Sequence, residues 1–422
     1  SELSEWRLRA LLVALLALLA AHLVPALRAG LAPLGLLTIA LGLFAVAGRR
    51  VLLWAGALLA LPVLVRALLV ASGDSSSAAS LAGSSFHVPF FAFASVVVGH
   101  EVLRADRPTV DSLAGAVCAW LLATLAFASA YAFQESRFPG SFAFAHGQPA
   151  AQDLYGWLLH FSLATITTLG YGDVTPVSPV ARSAVILQSV LGVLYPSIIV
   201  ARLVAVLTAG RGHAFIRDRV GGPSQAGWIA LTLVVAIILL PWADEAPRVA
   251  VLVVATLGAM LVAALLRVSS GRTVPLVALI LIAASIGSRL LPSLAGLAPA
   301  FDLGFLGLVA FAAGTQLLMA DRVTWSVLLA APALYLLLGF AGGAAFAVLL
   351  ALDPGAISGP AGSVVDTAEL IYLSFMTLTT TGFGEITPVA APARGIAGAL
   401  AMIGIFFPAV LVARLVTLYE PD

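Results

Sequence analysis

Two copies of a short glycine-containing motif constrain the fold of this chain more than any other feature. Residues 167–173 read TTLGYGD, and residues 379–385, which lie 212 positions further on, read TTTGFGE. Glycine at alternate positions permits backbone conformations that residues with a Cβ resist. Each copy follows a short apolar segment and precedes a long one. The motif therefore predicts an irregular backbone segment held between two helices, and it predicts this twice.

The composition identifies the environment of the chain. Of its 422 residues, 61% are hydrophobic and only 10% are charged, whereas soluble proteins carry about 25% charged residues. We therefore predict an all-α integral membrane protein in contact with membrane lipids. The formal net charge of +1 gives no reason to expect a nucleic acid partner. The single cysteine, Cys118, excludes a disulfide framework and a cysteine metal site, so we expect it to serve in packing.

Apolar runs long enough to span a membrane, about 20 residues, occur in the same order in both halves. In the first half these runs are 8–27, 31–47, 51–71, 86–103, 110–133 and 179–209. In the second half they are 227–242, 248–266, 274–291, 301–319, 325–350 and 392–419. Shorter segments at 152–166 and 364–378 precede the two motifs and predict re-entrant helices. The first run has features of a signal peptide, but its length and its counterpart in the second half favour a retained helix.

The two halves are predicted to be tandem repeats, residues 1–212 and 213–422, each with six transmembrane helices. Each repeat has its pore helix and filter-like motif between helices 5 and 6. Identical residues recur at the offset of 212, namely Thr175 and Thr387, Arg182 and Arg394, Gly192 and Gly404, Pro196 and Pro408, and Arg202 and Arg414. An Ala-Asp-Arg sequence before helix 5 recurs at 105–107 and 320–322.

The distribution of arginine predicts the orientation, because loops that stay in the cytoplasm are rich in basic residues. Most arginine clusters fall on one side of the predicted spans, while the serine-rich loop 72–85 and the acidic residues 244–245 fall on the other. Both termini are therefore expected to be cytoplasmic, with the two motifs entering from outside. We expect the plasma membrane of a prokaryote as the location.

Both motifs resemble the selectivity filter of potassium channels, and residues 152–209 and 364–419 are similar to the pore domain of that family. The resemblance implies that backbone carbonyls replace the hydration shell of K+. The implied coordinating residues are Thr168, Leu169, Gly170, Tyr171 and Gly172 in the first loop, and Thr380, Thr381, Gly382, Phe383 and Gly384 in the second. Ser162, Thr165, Ser374 and Thr377 match small hydroxyl residues of the family's pore helix. No cofactor other than K+ ions in the filter is expected.

The resemblance also implies roles for residues outside the filters. Asp173 and Glu385 follow the filters and would stand at the outer mouth, where they hold the backbone and attract cations. Gly192 with Pro196, and Gly404 with Pro408, would form a gating hinge or kink in the last helix of each repeat. Small residues also permit close helix packing in membranes, so a packing role stays open for the glycines.

Several positions depart from the family pattern. Leu169 and Thr381 occupy a position that is usually Val or Ile, which leaves the strictness of K+ selectivity open. A pore-helix glutamate found in some members is replaced by Ala164 and Met376. Aromatic residues that usually brace the filter are partly replaced, by the pairs His160-Phe161 and Tyr372-Leu373. His160 could sense protons, but a packing role is favoured.

Four filter loops around one axis form a pore in this family, and this chain has two. The resemblance therefore implies a homodimer with a pseudo-fourfold pore that conducts K+ passively. Tandem six-helix repeats are also similar to two-pore cation channels, although the filters are not. A weakly selective cation channel of the same build, and a potassium-uptake transporter, are the alternatives. No nucleophile, metal cluster or nucleotide loop indicates an enzyme.

Neither repeat has the arginine pattern of a voltage sensor, which needs an arginine at every third position of one helix. The segments 86–103 and 301–319 contain no arginine, so voltage sensing by this device is not expected. Arg66 and Arg289 are isolated and are expected to snorkel to the membrane surface. Arg202 and Arg414 are predicted either to snorkel or to pair with the aspartates of the Ala-Asp-Arg sequences, Asp106 and Asp321.

Overall fold

A computed structural model describes most of the chain, and the described residues are predominantly helical. These residues are 7–23, 37–41, 54–61, 77–104, 109–151, 153–208, 225–243, 247–268, 273–319, 325–360 and 365–417. The chain divides into two compact units, Ser1–Ile166 and Thr167–Asp422.

The first unit is built around one long helix, α3. Its elements are α1 (Arg7–Leu23), α2 (Ser77–Arg104), α3 (Val110–Arg137), the short strand β1 (Phe142–Phe144) and the pore helix α4 (Leu154–Ile166). Helix α3 packs against α1, α2 and α4. A capping box starts it, because the Ser112 backbone N–H donates to the Thr109 hydroxyl at 3.1 Å and the Thr109 N–H donates to the Ser112 hydroxyl at 2.8 Å.

The second unit contains the remaining elements. They are β2 (Val174–Pro176), α5 (Pro179–Thr208), α6 (Gln225–Ala243), α7 (Pro247–Val268), α8 (Thr273–Leu290), a 3-10 turn (Pro292–Leu297), α9 (Ala298–Leu318), α10 (Trp325–Leu352), β3 (Ile357–Ser358), the pore helix α11 (Thr367–Leu378), β4 (Thr387–Pro388) and α12 (Ala391–Thr417). Helices α6 to α9 pack in chain order, and α10 contacts α6, α9, α11 and α12. Strands β3 and β4 pair antiparallel, with Ile357 opposite Pro388.

The predicted fold class, an all-α membrane protein, is confirmed. Within the described residues, six helices are long and apolar enough to cross a membrane. Both pore helices and the helices that follow the motifs begin and end within three residues of their predicted positions. The predicted spans 31–47 and 51–71 lie mostly outside the described residues, as does the predicted repeat boundary at 212.

Two predictions are wrong. The serine-rich segment 72–85 was predicted to be a loop, but α2 begins at Ser77, because the alanines and serines there continue the helix that the apolar run starts. Arg289 does not snorkel. Its Nη2 lies 2.5 Å from Oδ2 of Asp302, on the neighbouring helix α9, because a carboxylate within reach stabilises the guanidinium more than the membrane surface does.

Candidate functional site

Both pore helices are fixed by the same hydrogen bond to the preceding long helix. The Ser162 hydroxyl donates to the Thr124 carbonyl at 2.8 Å, and the Ser374 hydroxyl donates to the Gly339 carbonyl at 2.7 Å. Close approach in the second repeat requires Gly339, since a Cβ there would stand 2.2 Å from the Phe375 ring. Ser162 and Ser374, which match small hydroxyl residues in the pore helix of the resembled family, therefore tie each pore helix to the helix before it.

The two motifs adopt the same alternating backbone. Positive φ occurs at Thr168 (56°), Gly170 (54°) and Gly172 (75°), and again at the equivalent positions Thr380 (58°), Gly382 (58°) and Gly384 (88°). Alternation between left-handed and extended or right-handed residues turns successive carbonyls toward one side, as ion coordination requires. The two threonines are the only non-glycine residues with positive φ in the described chain. Such strain is typical of functional segments.

The two loops run side by side within the second unit. A Cβ added to Gly170 would stand 1.7 Å from the Thr381 carbonyl oxygen, and one added to Gly172 would stand 2.6 Å from the Phe383 carbonyl oxygen. Each glycine of the first loop therefore faces a carbonyl of the second loop at a matching level. The two loops therefore lie in close contact along their length.

The side chains of the two loops are packed unequally. Thr381 and Phe383 are 2% and 8% exposed, whereas Leu169 and Tyr171 are 53% and 65% exposed. The Thr381 hydroxyl lies 2.8 Å from the Thr379 hydroxyl, inside the protein. The side chains of the second loop therefore point into the protein at this level, which leaves its backbone as the part that could face an ion.

A chain of four side chains, which we call the filter brace, stands behind the second loop. It consists of Arg182 on α5, Glu369 and Tyr372 on α11, and Glu385 after the motif. The Arg182 Nη1 lies 2.6 Å from Glu369 Oε1, and both side chains are 11% exposed. The Arg182 guanidinium lies 5.6 Å from the centre of the Tyr372 ring, and the Tyr372 hydroxyl donates to Glu385. The brace thereby ties α5 to the second pore helix and to the residue after its motif.

Sequence reasoning missed the central ion pair of the brace. Arg182 recurs as Arg394, but the position equivalent to Glu369 in the first repeat is Trp157, so the repeat gave no signal for a pair. Glu369 also closes a capping box with Asp366, whose Oδ1 accepts the Glu369 N–H at 2.7 Å. The Asp-x-x-Glu spacing before an apolar run is the signal that could have identified Glu369.

The two carboxylates after the filters have different surroundings. Asp173 Oδ1 accepts the Val174 N–H at 3.0 Å, whereas Glu385 is held by Tyr372. Burial raises the pKa of Glu385, while the Tyr372 hydrogen bond, a backbone hydrogen bond and the Arg182 charge lower it in part. Glu385 will therefore take up a proton at a higher pH than an exposed glutamate, whose pKa is about 4.3.

External acidification is expected to reduce ion flux by protonating Glu385. Protonation removes a negative charge and weakens the hydrogen bond from the Tyr372 hydroxyl. The folded chain binds this proton more tightly than the unfolded chain, so this group adds stability as the pH falls. Flux should therefore fall without unfolding. Tyr372→Phe should move the midpoint of the flux titration to higher pH, since it removes a hydrogen bond that lowers the pKa of Glu385. Glu385→Gln should remove this step from a pH titration of flux in liposomes, and an unaltered step in Glu385→Gln would contradict the assignment.

The comparisons agree with the geometry. The family model described as an ion channel matches residues 119–209 and 334–420, and each match contains a pore helix, its motif and the flanking long helices. These two segments of the chain are similar to the pore domains of ion channels of the potassium-channel type. No curated protein and no solved structure matches it significantly. Helices α6 to α9 lie outside both matched segments, so the similarity rests on the two pore domains.

Gly404 has a clear packing role in the channel. A Cβ at this position would stand 1.7 Å from the carbonyl oxygen of Leu378, the last residue of pore helix α11. The same carbonyl accepts the Tyr335 hydroxyl at 3.0 Å, a contact that the sequence did not indicate. Pro196 and Pro408 lie inside α5 and α12, and Gly192 is buried in α5. The predicted hinge role of these four residues stays a prediction.

Arg414 contacts the end of the helix that precedes α10. Arg414 Nη2 donates to the Leu318 carbonyl at the end of α9, at 2.6 Å. Its predicted partner Asp321, and both Asp106 and the Arg202 side chain, lie outside the described residues. Ala164 and Met376 are buried. In the second repeat Tyr372, one turn before Met376, supplies the partner for the carboxylate after the filter.

Proposed function

We propose that this protein is a passive K+-selective channel whose conducting unit is a homodimer with four filter loops around one axis. The observation that carries the proposal is the pair of adjacent loops with the same three left-handed positions. Such loops present rows of carbonyl oxygens to one path, and rows of carbonyls coordinate K+ in place of water. Opening would not use an arginine-rich helix, since α9 contains no arginine.

Exposed apolar surface supports the dimer. Helix α12 follows the second filter and is the least buried of the six candidate spans. Met402, Ile405, Phe406 and Val410 on it are 55–64% exposed, and Leu169 in the first loop is 53% exposed. A second copy related by a twofold axis would add two more loops and cover such surfaces with equivalent ones.

Ion selectivity is tested by reversal potentials of the purified protein in planar bilayers with K+ on one side and Na+ on the other. A K+-selective filter should give a large reversal potential, with the sign that opposes the flow of K+ down its gradient. Leu169 and Thr381 occupy equivalent positions of the two loops but differ in chemistry. This difference favours a weakly selective cation channel as the second candidate. A reversal potential near zero would support that candidate and overturn K+ selectivity.

The dimer is tested by mixing wild-type chains with a non-conducting filter variant before assembly. If two chains make one pore, a one-to-one mixture should retain about a quarter of the wild-type flux, because only wild-type pairs conduct. A channel formed by one chain would retain about half. Mixing the same proteins after reconstitution is the control and should retain about half in either case.

A further inference from the structure

A cavity of about 340 Å³ lies in the second unit between the outer helices and the pore helix. Its wall contains apolar side chains from six helices, α6 to α11. Representatives are Leu233, Leu261, Ile282, Phe305, Phe340 and Ile371, of which the first five are buried. The volume lies near the lower end of the range for small-molecule pockets, about 300–1,000 Å³. The cavity therefore suits one apolar chain better than a two-chain lipid.

An ion pair forms the polar part of the wall. Arg289 and Asp302 both line the cavity and are about one-fifth exposed. The Ser285 hydroxyl donates to Asp302 Oδ1 at 2.5 Å and also contacts Arg289. The charges of the pair compensate each other, so a ligand with a net charge would gain little from one partner and be repelled by the other. An uncharged group that donates and accepts hydrogen bonds fits this polar wall.

The exposed lining residues indicate where the cavity opens. Ala295, in the 3-10 turn before α9, and Thr367, the first residue of α11, are both exposed. The residues deeper in the helices, such as Leu261 and Phe340, are buried. The polar pair also lies toward the end of α8 and the start of α9. A ligand would thus enter beside the 3-10 turn, with its apolar chain inward and its polar group near the ion pair.

We propose that this cavity binds a single-chain amphiphile with an uncharged, hydroxyl-bearing head, of the monoacylglycerol class. Its chain occupies the apolar interior, and its head bonds to Arg289 and Asp302. The cavity also contacts the filter machinery, because Ala368 and Ile371 line it while Glu369 and Tyr372 on the same helix belong to the filter brace. The bound amphiphile bears on the pore helix and modulates conduction from outside the ion path.

Binding is tested with a photoactivatable monoacylglycerol on the purified protein in phosphatidylcholine vesicles, with crosslinked residues mapped by mass spectrometry. Crosslinks should map to α9, α10 and α11. Ala298→Phe fills the cavity at a buried lining position and should reduce labelling at least about tenfold, the effect of losing the contacts of one buried apolar group. Ala300→Phe lies on the same turn of α9 at an exposed position outside the lining, and should label like the wild type.

A second variant tests the polar wall separately. Asp302→Asn leaves Arg289 without its carboxylate and makes the site cationic. Labelling by a photoactivatable fatty acid, relative to labelling by the monoacylglycerol, should then rise about tenfold. This is the effect expected when the fatty acid carboxylate forms a hydrogen bond with the charged Arg289. An unchanged ratio would overturn the proposed head-group recognition.

Two further outcomes would overturn the proposal. One is equal labelling of Ala298→Phe and Ala300→Phe. The other is equally strong labelling of the same residues by a photoactivatable phosphatidylcholine, which would mean that bulk lipid chains fill the cavity. Labelling needs no conduction, so its failure and a failure of the channel function are separate results. Added monoacylglycerol should change K+ flux in the wild type and leave it unchanged in Ala298→Phe.

Discussion

Gly170→Ala is expected to reduce K+ flux at least about tenfold while the chain still folds and inserts. Gly170 has φ of 54°, and a non-glycine residue in this region carries about 1–3 kcal/mol of strain. The new Cβ would also stand 1.7 Å from the Thr381 carbonyl oxygen, so the second loop must move. A carbonyl displaced from the path no longer coordinates the ion. Flux in liposomes, measured with a K+-sensitive dye, checks the result.

Two further alanine variants test the assignment. Gly382→Ala has the same strain, with φ of 58°, and the proposed dimer places a loop of the second copy beside it, so it should also reduce flux. Gly307→Ala lies in α9, with open space and no positive φ, and should conduct like the wild type. If Gly170→Ala kept full flux at wild-type protein levels, the filter assignment would be wrong.

Helix positions were predictable because the bilayer fixes their length and the flanking residues mark their ends. Helix α5 was predicted at 179–209 and is observed at Pro179–Thr208, starting at a proline, which favours the first turn of a helix. The filter backbone was predictable in part. The alternate glycines indicated left-handed positions. Thr168 and Thr380 are also left-handed, although threonine disfavours this conformation, and the surrounding packing must hold them in it.

Contacts between distant segments could not be predicted. Arg182 and Glu369 lie 187 positions apart, and their pairing depends on how α5 packs against the second pore helix. Arg289 was predicted to snorkel because an isolated arginine in an apolar run has no visible partner in sequence. Its partner Asp302 lies beyond a turn that brings α9 back against α8. In both cases tertiary packing supplies the carboxylate.

Glu369→Gln is expected to destabilise the channel by about 3 kcal/mol, the effect of leaving one charge of a buried pair without its partner. Arg182 and Glu369 are each only 11% exposed, so water cannot replace the lost carboxylate fully. Glutamine is chosen because its side chain can still close the capping box with Asp366. The loss therefore reports the ion pair and not the helix start. Thermal unfolding of the reconstituted protein, followed by tryptophan fluorescence, measures it.

A double-mutant cycle then assigns the loss to the pair. Adding Arg182→Leu to Glu369→Gln removes the unpaired charge and should recover a large part of the stability, since neutral replacement of both partners is tolerated far better than loss of one. Arg394→Leu, at the equivalent exposed position of the second repeat, is the control and should change stability by no more than about 0.5 kcal/mol. Additive effects of Arg182→Leu and Glu369→Gln would exclude the brace. Because the brace continues through Tyr372 to Glu385, Glu369→Gln should also lower K+ flux, whereas Arg394→Leu should not.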